Sequence, residues 1–116
     1  MSVTRVVHFS FPFLVHYCIP IDKISKTRPV VIISNDKNNA FSGTVTILPI
    51  SSQNLDKVYP FEVLLAKGTG NLPKDSKVKA DQIRTIDQAR IVKHIGALGS
   101  VQMKDIERAL RLHLDF

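Results

Sequence analysis

Apolar, β-branched residues occur in short runs that turn-forming residues separate, a pattern typical of β-strands. The pattern predicts strands over residues 6–13, 30–34, 44–50, 61–65, 77–86 and 90–98, and loops over 17–27, 36–39, 51–54 and 67–73. Alternation in the 77–86 strand is interrupted at Asp81 and Gln82. Short strands with tight turns indicate a small, strongly bent sheet, either a barrel or a sandwich.

The end of the chain follows a different, helical period. Met103, Ile106, Leu110 and Leu114 recur at spacings of three and four, which predicts an amphipathic helix. Ser100 is the predicted N-cap, because its hydroxyl can accept from a free N–H of the first turn. We therefore expect one C-terminal helix packed over the sheet.

Length and composition indicate an ordinary globular protein. The chain has 116 residues, of which 44% are hydrophobic, and this predicts a single domain over residues 1–116. Sixteen Lys and Arg against ten Asp and Glu give a net charge of +6 and favour a polyanionic partner, nucleic acid first. Charge alone does not establish such a partner.

The single cysteine, Cys18, has no partner for an intrachain disulfide, which fits a reducing, cytoplasmic location. Residues 6–21 are apolar, but Pro12, His16 and Pro20 interrupt them and no small-residue cleavage site follows. The run is also too short for a membrane span. We expect neither a signal peptide nor a membrane anchor.

Motifs for metal or nucleophile chemistry are missing from the sequence. The four histidines show no spacing of a metal site, and we expect neither a metal nor another cofactor. No Gly-x-Ser-x-Gly motif is present. The two-glycine loop over residues 67–73 lacks the Gly-Lys-Ser/Thr of a phosphate loop and is predicted to be a turn.

Three polar residues stand at or within predicted strands and can meet at one rim of a small barrel. Arg28 precedes the 30–34 strand, Ser51 follows the 44–50 strand, and Gln82 lies in the 77–86 strand. A guanidinium, a hydroxyl and an amide together can stabilise the charge of a phosphate in its transition state. The spacing equally allows Arg28 to pair with Asp36 or Asp81, Ser51 to start a turn and Gln82 to bond the backbone.

Three segments in order resemble the MazF/PemK (Kid-like) toxin family. They are residues 28–36 (RPVVIISND), 47–51 (ILPIS), and 75–76 with 81–87 (DS and DQIRTID). The resemblance runs from about Lys26 to Phe116, whereas residues 1–25 diverge and lack the family's opening Gly-Asp/Glu dipeptide.

The resemblance implies a mainly β (α+β) fold, a small SH3-like β-barrel with a C-terminal helix, in a homodimer. It further implies a metal-independent endoribonuclease that cuts single-stranded RNA at short sequence motifs and that a MazE-like antitoxin neutralises. Arg28 matches the family's catalytic arginine, and Ser51 stands where the family usually carries a catalytic threonine. We expect the remaining substrate contacts from Lys26, Thr27, Ser52, Gln82 and Arg84.

Two other functions fit the same barrel. One is a non-catalytic barrel that inhibits a protein target such as gyrase, and the other is an inactive barrel that binds RNA. The retained Arg28 and Ser51 favour the nuclease over the gyrase inhibitor, because that inhibitor acts through C-terminal residues.

Overall fold

The computed structural model describes residues 13–21 and 24–116, with side chains described from Arg28 onward except at 36 and 37. These residues form a seven-stranded antiparallel sheet and two helices. The strands are β1 (Phe13–Ile21), β2 (Ile24–Ile32), β3 (Thr44–Ser51), β4 (Glu62–Leu65), β5 (Ser76–Lys79), β6 (Arg84–Asp87) and β7 (Ile91–Ala97). The helices are α1 (Asp36–Phe41) and α2 (Ser100–Leu114), and single 3₁₀ turns occupy Thr69–Asn71 and Gln88–Arg90.

The order of strands in the sheet is β4-β5-β3-β2-β1-β7, with β6 paired to β3 outside this path. The mainly β fold with a C-terminal helix is therefore confirmed. Hydrogen bonds do not close the described sheet into a barrel, because β4 and β7 end the path without pairing to each other. The strong bend instead comes from β3, which pairs with β6 along its first half and with β5 at its end.

Alternating side chains of the bent sheet fill two cores. Val31, Leu48 and Ile50 lie in the larger core, which α2 covers. Val30 and Ile32, one residue away, lie in the smaller core. The larger core also contains Val63, Leu65, Leu72, Val78, Ala80, Leu98, Ile106 and Ala109, and the smaller contains Val45, Ile47 and Ile86. Burial on both faces explains why residues 30–33 are continuously apolar.

The predicted loop over residues 17–27 is wrong. Residues 17–21 and 24–27 belong to the hairpin of β1 and β2, whose register runs from Leu14 opposite Val31 to Ile21 opposite Ile24. β1 also pairs with β7, so it has neighbours on both sides. Pairing across this hairpin, Pro20 with Ser25, thus outweighs the local preference of Pro20 for a turn. The predicted 6–13 strand lies, apart from Phe13, outside the described residues.

The predicted 77–86 strand is also wrong as a single element, because β5 and β6 are separate. On β3, two residues separate Ile47 from Ile50, whereas five separate their partners Arg84 and Val78. The surplus residues leave the sheet as a turn opposite Pro49, which has no N–H to offer a neighbouring strand. The interrupted alternation at Asp81 and Gln82 marks this turn.

Smaller differences occur at α1 and at the start of α2. Residues 36–39, predicted as a turn, belong to α1, which the Asn35 side chain caps by accepting from the Asn38 N–H at 2.8 Å. Ser100 is not the N-cap of α2, because Gly99 takes that position. The Gln102 side chain accepts from the Gly99 N–H at 3.1 Å and completes the cap.

The strands predicted at 44–50, 61–65 and 90–98 are confirmed within one or two residues as β3, β4 and β7, and α2 is the predicted C-terminal helix. Ile106 of α2 is fully buried, and Met103 and Leu110 pack beside it. Leu114 is 42% exposed, so the apolar face of the helix extends beyond its contact with the sheet. In the described part of the chain, neither helix is long and apolar enough to cross a membrane.

Candidate functional site

Arg28 is the centre of the candidate site, and β2 fixes its position. Its neighbour Pro29 lies opposite His16, and Val30 lies opposite Pro49 of β3. The pairing of β2 with β3 ends at Val30 and Pro49, and extending its register by two residues would bring Arg28 level with Ser51. Because side chains alternate along a strand, the two residues belong to the same face of the sheet.

The side chain of Arg28 is exposed. Among the described side chains it takes part in no ion pair and no hydrogen bond. The alternative pairing with Asp81 is therefore not formed, and the side chain of Asp36 lies outside the described residues. One carboxylate oxygen of Asp81 is buried with no hydrogen-bond partner in the described structure. Arg28 is thus available for a ligand.

A first cleft of about 190 Å³ joins Arg28 to the turn between β5 and β6. Its polar side chains come from Arg28, Gln82 and Arg84, and its apolar wall is formed by Val30, Ile47, Pro49 and Ile50. The predicted grouping of Arg28 with Gln82 therefore occurs in the structure. Two guanidiniums and an amide around an apolar wall suit a phosphate beside an unstacked base.

A second cleft of about 180 Å³ lies on the other side of Arg28. Ser52, Lys74 and Ser76 contribute its polar side chains, and Leu72 and Pro73 contribute apolar ones. Lys74 was missed at the level of sequence, although a lysine beside Pro73, just before the family-like Asp75-Ser76 pair, is the signal that marks it. Arg28 is shared by the two clefts, so an extended ligand that occupied both would pass its guanidinium.

Ser51 does not line either cleft. Its Oγ accepts a hydrogen bond from the Gln53 N–H at 3.1 Å, so Ser51 does start a turn. The backbone N–H of Gln82 donates to the Lys79 carbonyl at 3.1 Å, within the turn between β5 and β6. The side chains of Lys26 and Thr27 lie outside the described residues; their backbone pairs with Ile19 and Cys18 of β1.

Comparison with known proteins identifies the family of this chain. The model of the PemK-like, MazF-like toxins of type II toxin–antitoxin systems matches residues 16–114. The chain belongs to this family. The predicted MazF/PemK membership is thereby confirmed, and the match extends into residues that the sequence placed in the divergent N-terminal part.

Curated relatives carry the endoribonuclease name. The chain is 42% identical over 93 residues to endoribonuclease MazF9 of Mycobacterium tuberculosis, covering 76% of this MazF-like chain and 78% of that protein. It is 36% identical over 87 residues to endoribonuclease MazF of Staphylococcus saprophyticus, covering 75% and 72%.

Solved structures share the fold. A MazE–MazF crystal structure from Deinococcus radiodurans matches with a TM-score of 0.80 at 22% identity, covering 95% of this chain and 98% of that one. The Mycobacterium tuberculosis toxin MazF-mt6 matches with a TM-score of 0.74 at 25% identity, covering 90% and 97%. The bent sheet with its C-terminal helix is therefore the MazF toxin fold.

Proposed function

We propose that this MazF-like protein is an endoribonuclease toxin that cuts single-stranded RNA at Arg28. The observation that carries the proposal is the exposed Arg28 side chain between two polar clefts, in a chain of this family. Its relatives MazF9 and MazF bear the endoribonuclease name. A net charge of +6 adds attraction for the phosphate backbone.

The proposed reaction uses the nucleophile that RNA itself carries. The ribose 2′-oxygen forms a bond to the adjacent phosphorus, and the bond from phosphorus to the 5′-oxygen of the next nucleotide breaks. The 2′-hydroxyl loses a proton and the departing 5′-oxygen gains one, which leaves a 2′,3′-cyclic phosphate and a 5′-hydroxyl. No metal is required at this step. Arg28 stabilises the negative charge that builds on the non-bridging oxygens.

Ser51 donates its hydroxyl to the scissile phosphate in this proposal. In the structure the Oγ accepts from the Gln53 N–H, and this leaves its own proton free to donate. Replacing the family's threonine by serine keeps the hydroxyl and removes only the methyl group that restricts the rotamer. We expect the reaction to survive that difference.

The clefts on the two sides of Arg28 hold the flanking nucleotides. Gln82 and Arg84 line the first, and Ser52 and Lys74 line the second. Lys26 and Thr27 precede Arg28 on β2 and complete the proposed substrate-binding set. Splayed, single-stranded bases are accessible to such side chains, whereas bases in an A-form duplex are not.

The proposed assembly is a homodimer that a MazE-like antitoxin neutralises in the cytoplasm. A mycobacterial endoribonuclease of the same fold was solved in complex with its cognate antitoxin, at a TM-score of 0.77 and 19% identity. The basic charge of this chain suits an acidic antitoxin segment as well as RNA.

Cleavage of a long RNA in excess EDTA tests the proposed function. Discrete cuts that carry 5′-hydroxyl and 2′,3′-cyclic phosphate ends are expected, since the RNA supplies the nucleophile. Products that appear only after a divalent metal is restored would contradict the metal-independent reaction. RNA binding without any cutting would support the non-catalytic barrel instead.

A further inference from the structure

Lys77 of β5 is a buried lysine that the proposed reaction does not use. Its residue is only 3% exposed. The ammonium donates to the Asn54 carbonyl at 3.1 Å, to the Lys57 carbonyl at 3.0 Å and to the Glu62 carboxylate at 3.0 Å. An ammonium has three N–H bonds, so every one of them has a partner.

The register places this lysine beside Ser51 on the neighbouring strand, with its side chain on the same face of the sheet. Lys77 lies opposite Ser51 of β3 and opposite Leu64 of β4. Its neighbour Val78 points into the larger core, so Lys77 belongs to the other face of the sheet. On that face the segment 52–60, which makes up most of the connection from β3 to β4, covers it.

The lysine holds this segment at two points of its backbone. Asn54 has a left-handed φ of 54°, and its carbonyl is one of the acceptors. The Lys57 carbonyl is the second, and the Glu62 carboxylate also accepts from the Tyr59 N–H at 3.1 Å. Burying an ammonium is costly unless hydrogen bonds repay it, so the segment is strongly favoured in this one conformation.

We propose that Lys77 is a positioning residue for the nuclease site, because its ammonium anchors segment 52–60 and thereby fixes Ser51 and Ser52 beside Arg28. The inference rests on the proposed function and adds to it a residue that touches no substrate. Ser52 lines the cleft that Arg28 shares, and Ser51 is bound to Gln53 inside the anchored turn. A small displacement of such groups is enough to slow a reaction greatly.

The test compares Lys77→Met with Lys79→Met. Lys79 is the matched control, because its ammonium faces the same Glu62 carboxylate at 3.8 Å but, in the described part of the chain, makes no bond to segment 52–60. Three quantities are measured on folded protein: amide hydrogen exchange of residues 51–60, RNA affinity, and single-turnover RNA cleavage in EDTA. Lys77→Met should speed exchange in this segment and slow cleavage about 10- to 100-fold, with RNA affinity changed less than about threefold. Lys79→Met should change none of them.

A second variant covers the case in which Lys77→Met fails to fold. Lys77→Met combined with Glu62→Leu replaces the whole buried ion pair by apolar side chains, which proteins often tolerate. It still removes both Lys77 bonds to the segment, together with the Glu62 bond to the Tyr59 N–H, so slow cleavage in a stably folded double variant is expected. Rescue of cleavage by this double variant would overturn the positioning role, and so would wild-type exchange of residues 51–60 in either variant. A wild-type protein that cuts no RNA would overturn the proposed function and the positioning role together. Amide hydrogen exchange of residues 51–60 would still show whether Lys77 anchors the segment.

Discussion

At the scale of single residues, the contrast between Arg28 and Lys77 separates function from stability. Arg28 is exposed and has no partner among the described side chains, so the fold gains little from it. Lys77 is buried and has three partners, so the fold depends on it. In solvent, an arginine and a lysine side chain would each carry one positive charge. Their surroundings make one a candidate for catalysis and the other an anchor.

Glu62 makes stability depend on pH in the acid range. Burial on its own raises the pKa of Glu62, but hydrogen bonds from the Tyr59 N–H and Lys77, with the charges of Lys77 and Lys79, outweigh it. The pKa in the folded protein therefore lies below the ordinary value of 4.5. A lowered pKa stabilises the fold above pH 4.5, and this contribution is lost as the pH falls through the folded value.

Glu62→Gln should lower the free energy of unfolding at pH 7 by about 3–5 kcal/mol, because it leaves the buried Lys77 charge without a counter-ion. The difference from wild type should shrink as the pH falls below 4.5. Urea unfolding between pH 3 and 7 measures both effects. Glu107→Gln is the control, since Glu107 and its partner Arg111 are both exposed and such pairs contribute about 0–1 kcal/mol. A Glu62→Gln difference that is constant with pH would contradict this account.

At the scale of elements, β7 and the 67–73 loop approach each other closely at Gly96. A Cβ on Gly96 would lie 2.3 Å from the Gly70 carbonyl oxygen, far inside contact distance. The Asn71 side chain holds the two elements together by donating to the Ile95 carbonyl at 3.0 Å. The loop that carries Leu72, Pro73 and Lys74 to the second cleft is thus pinned against β7.

Gly96→Ala should destabilise the protein by about 1–3 kcal/mol, because backbone must move to admit the methyl group. Thermal or urea unfolding measures the loss. Val92→Ala is the control on the same strand: Val92 is 60% exposed, and its truncation should stay within about 0.5 kcal/mol. Equal stability of the two variants would show that the 67–73 loop moves to admit the methyl group without a measurable loss of stability.

The elements that sequence predicted well are those whose pattern is local. β3 and α2 each carry their own periodicity and turn signals, and both were found. The β1–β2 hairpin was missed because Pro20 and the polar residues before Arg28 favour a loop locally, whereas in the structure the two strands pair with each other. The break between β5 and β6 depends on Pro49 of another strand. The interruption at Asp81 and Gln82 was visible in the sequence, but its consequence required the register.

The candidate site, like the fold, was predicted from the sequence only in part. Arg28 and Gln82 were predicted to meet, and one cleft contains both. Ser52 and Lys74 share the other cleft with Arg28, whereas Ser51 lines neither. Ser51 and Ser52 differ because the turn after β3 binds the Ser51 hydroxyl to the Gln53 N–H, and the strand pattern in the sequence did not predict this bond.

At the scale of the whole molecule, the net charge of +6 predicts RNA affinity that falls with salt. Each phosphate contact to a single strand contributes about 0.7 to the slope of log affinity against log salt concentration. Arg84→Gln should reduce that slope by about 0.7, since Arg84 lines the first cleft.

Arg108→Gln is the matched control for charge, because Arg108 lies on α2 and pairs with Asp105 at 3.1 Å. Its slope should equal that of wild type. Fluorescence anisotropy with a single-stranded RNA over a range of salt concentrations measures both variants. An equal loss of slope in the two would mean that net charge, and not the cleft, determines binding.

Single-turnover cleavage of single-stranded RNA by Arg28→Ala tests whether Arg28 is the catalytic residue. The assay is run in EDTA beside Arg111→Ala, which removes the same charge from an exposed position on α2. Arg28→Ala should melt within experimental error of wild type, because an exposed side chain contributes little to stability. Its cleavage rate should fall at least about 10³-fold, while Arg111→Ala cuts normally. Cleavage by a folded Arg28→Ala at the wild-type rate would contradict the account.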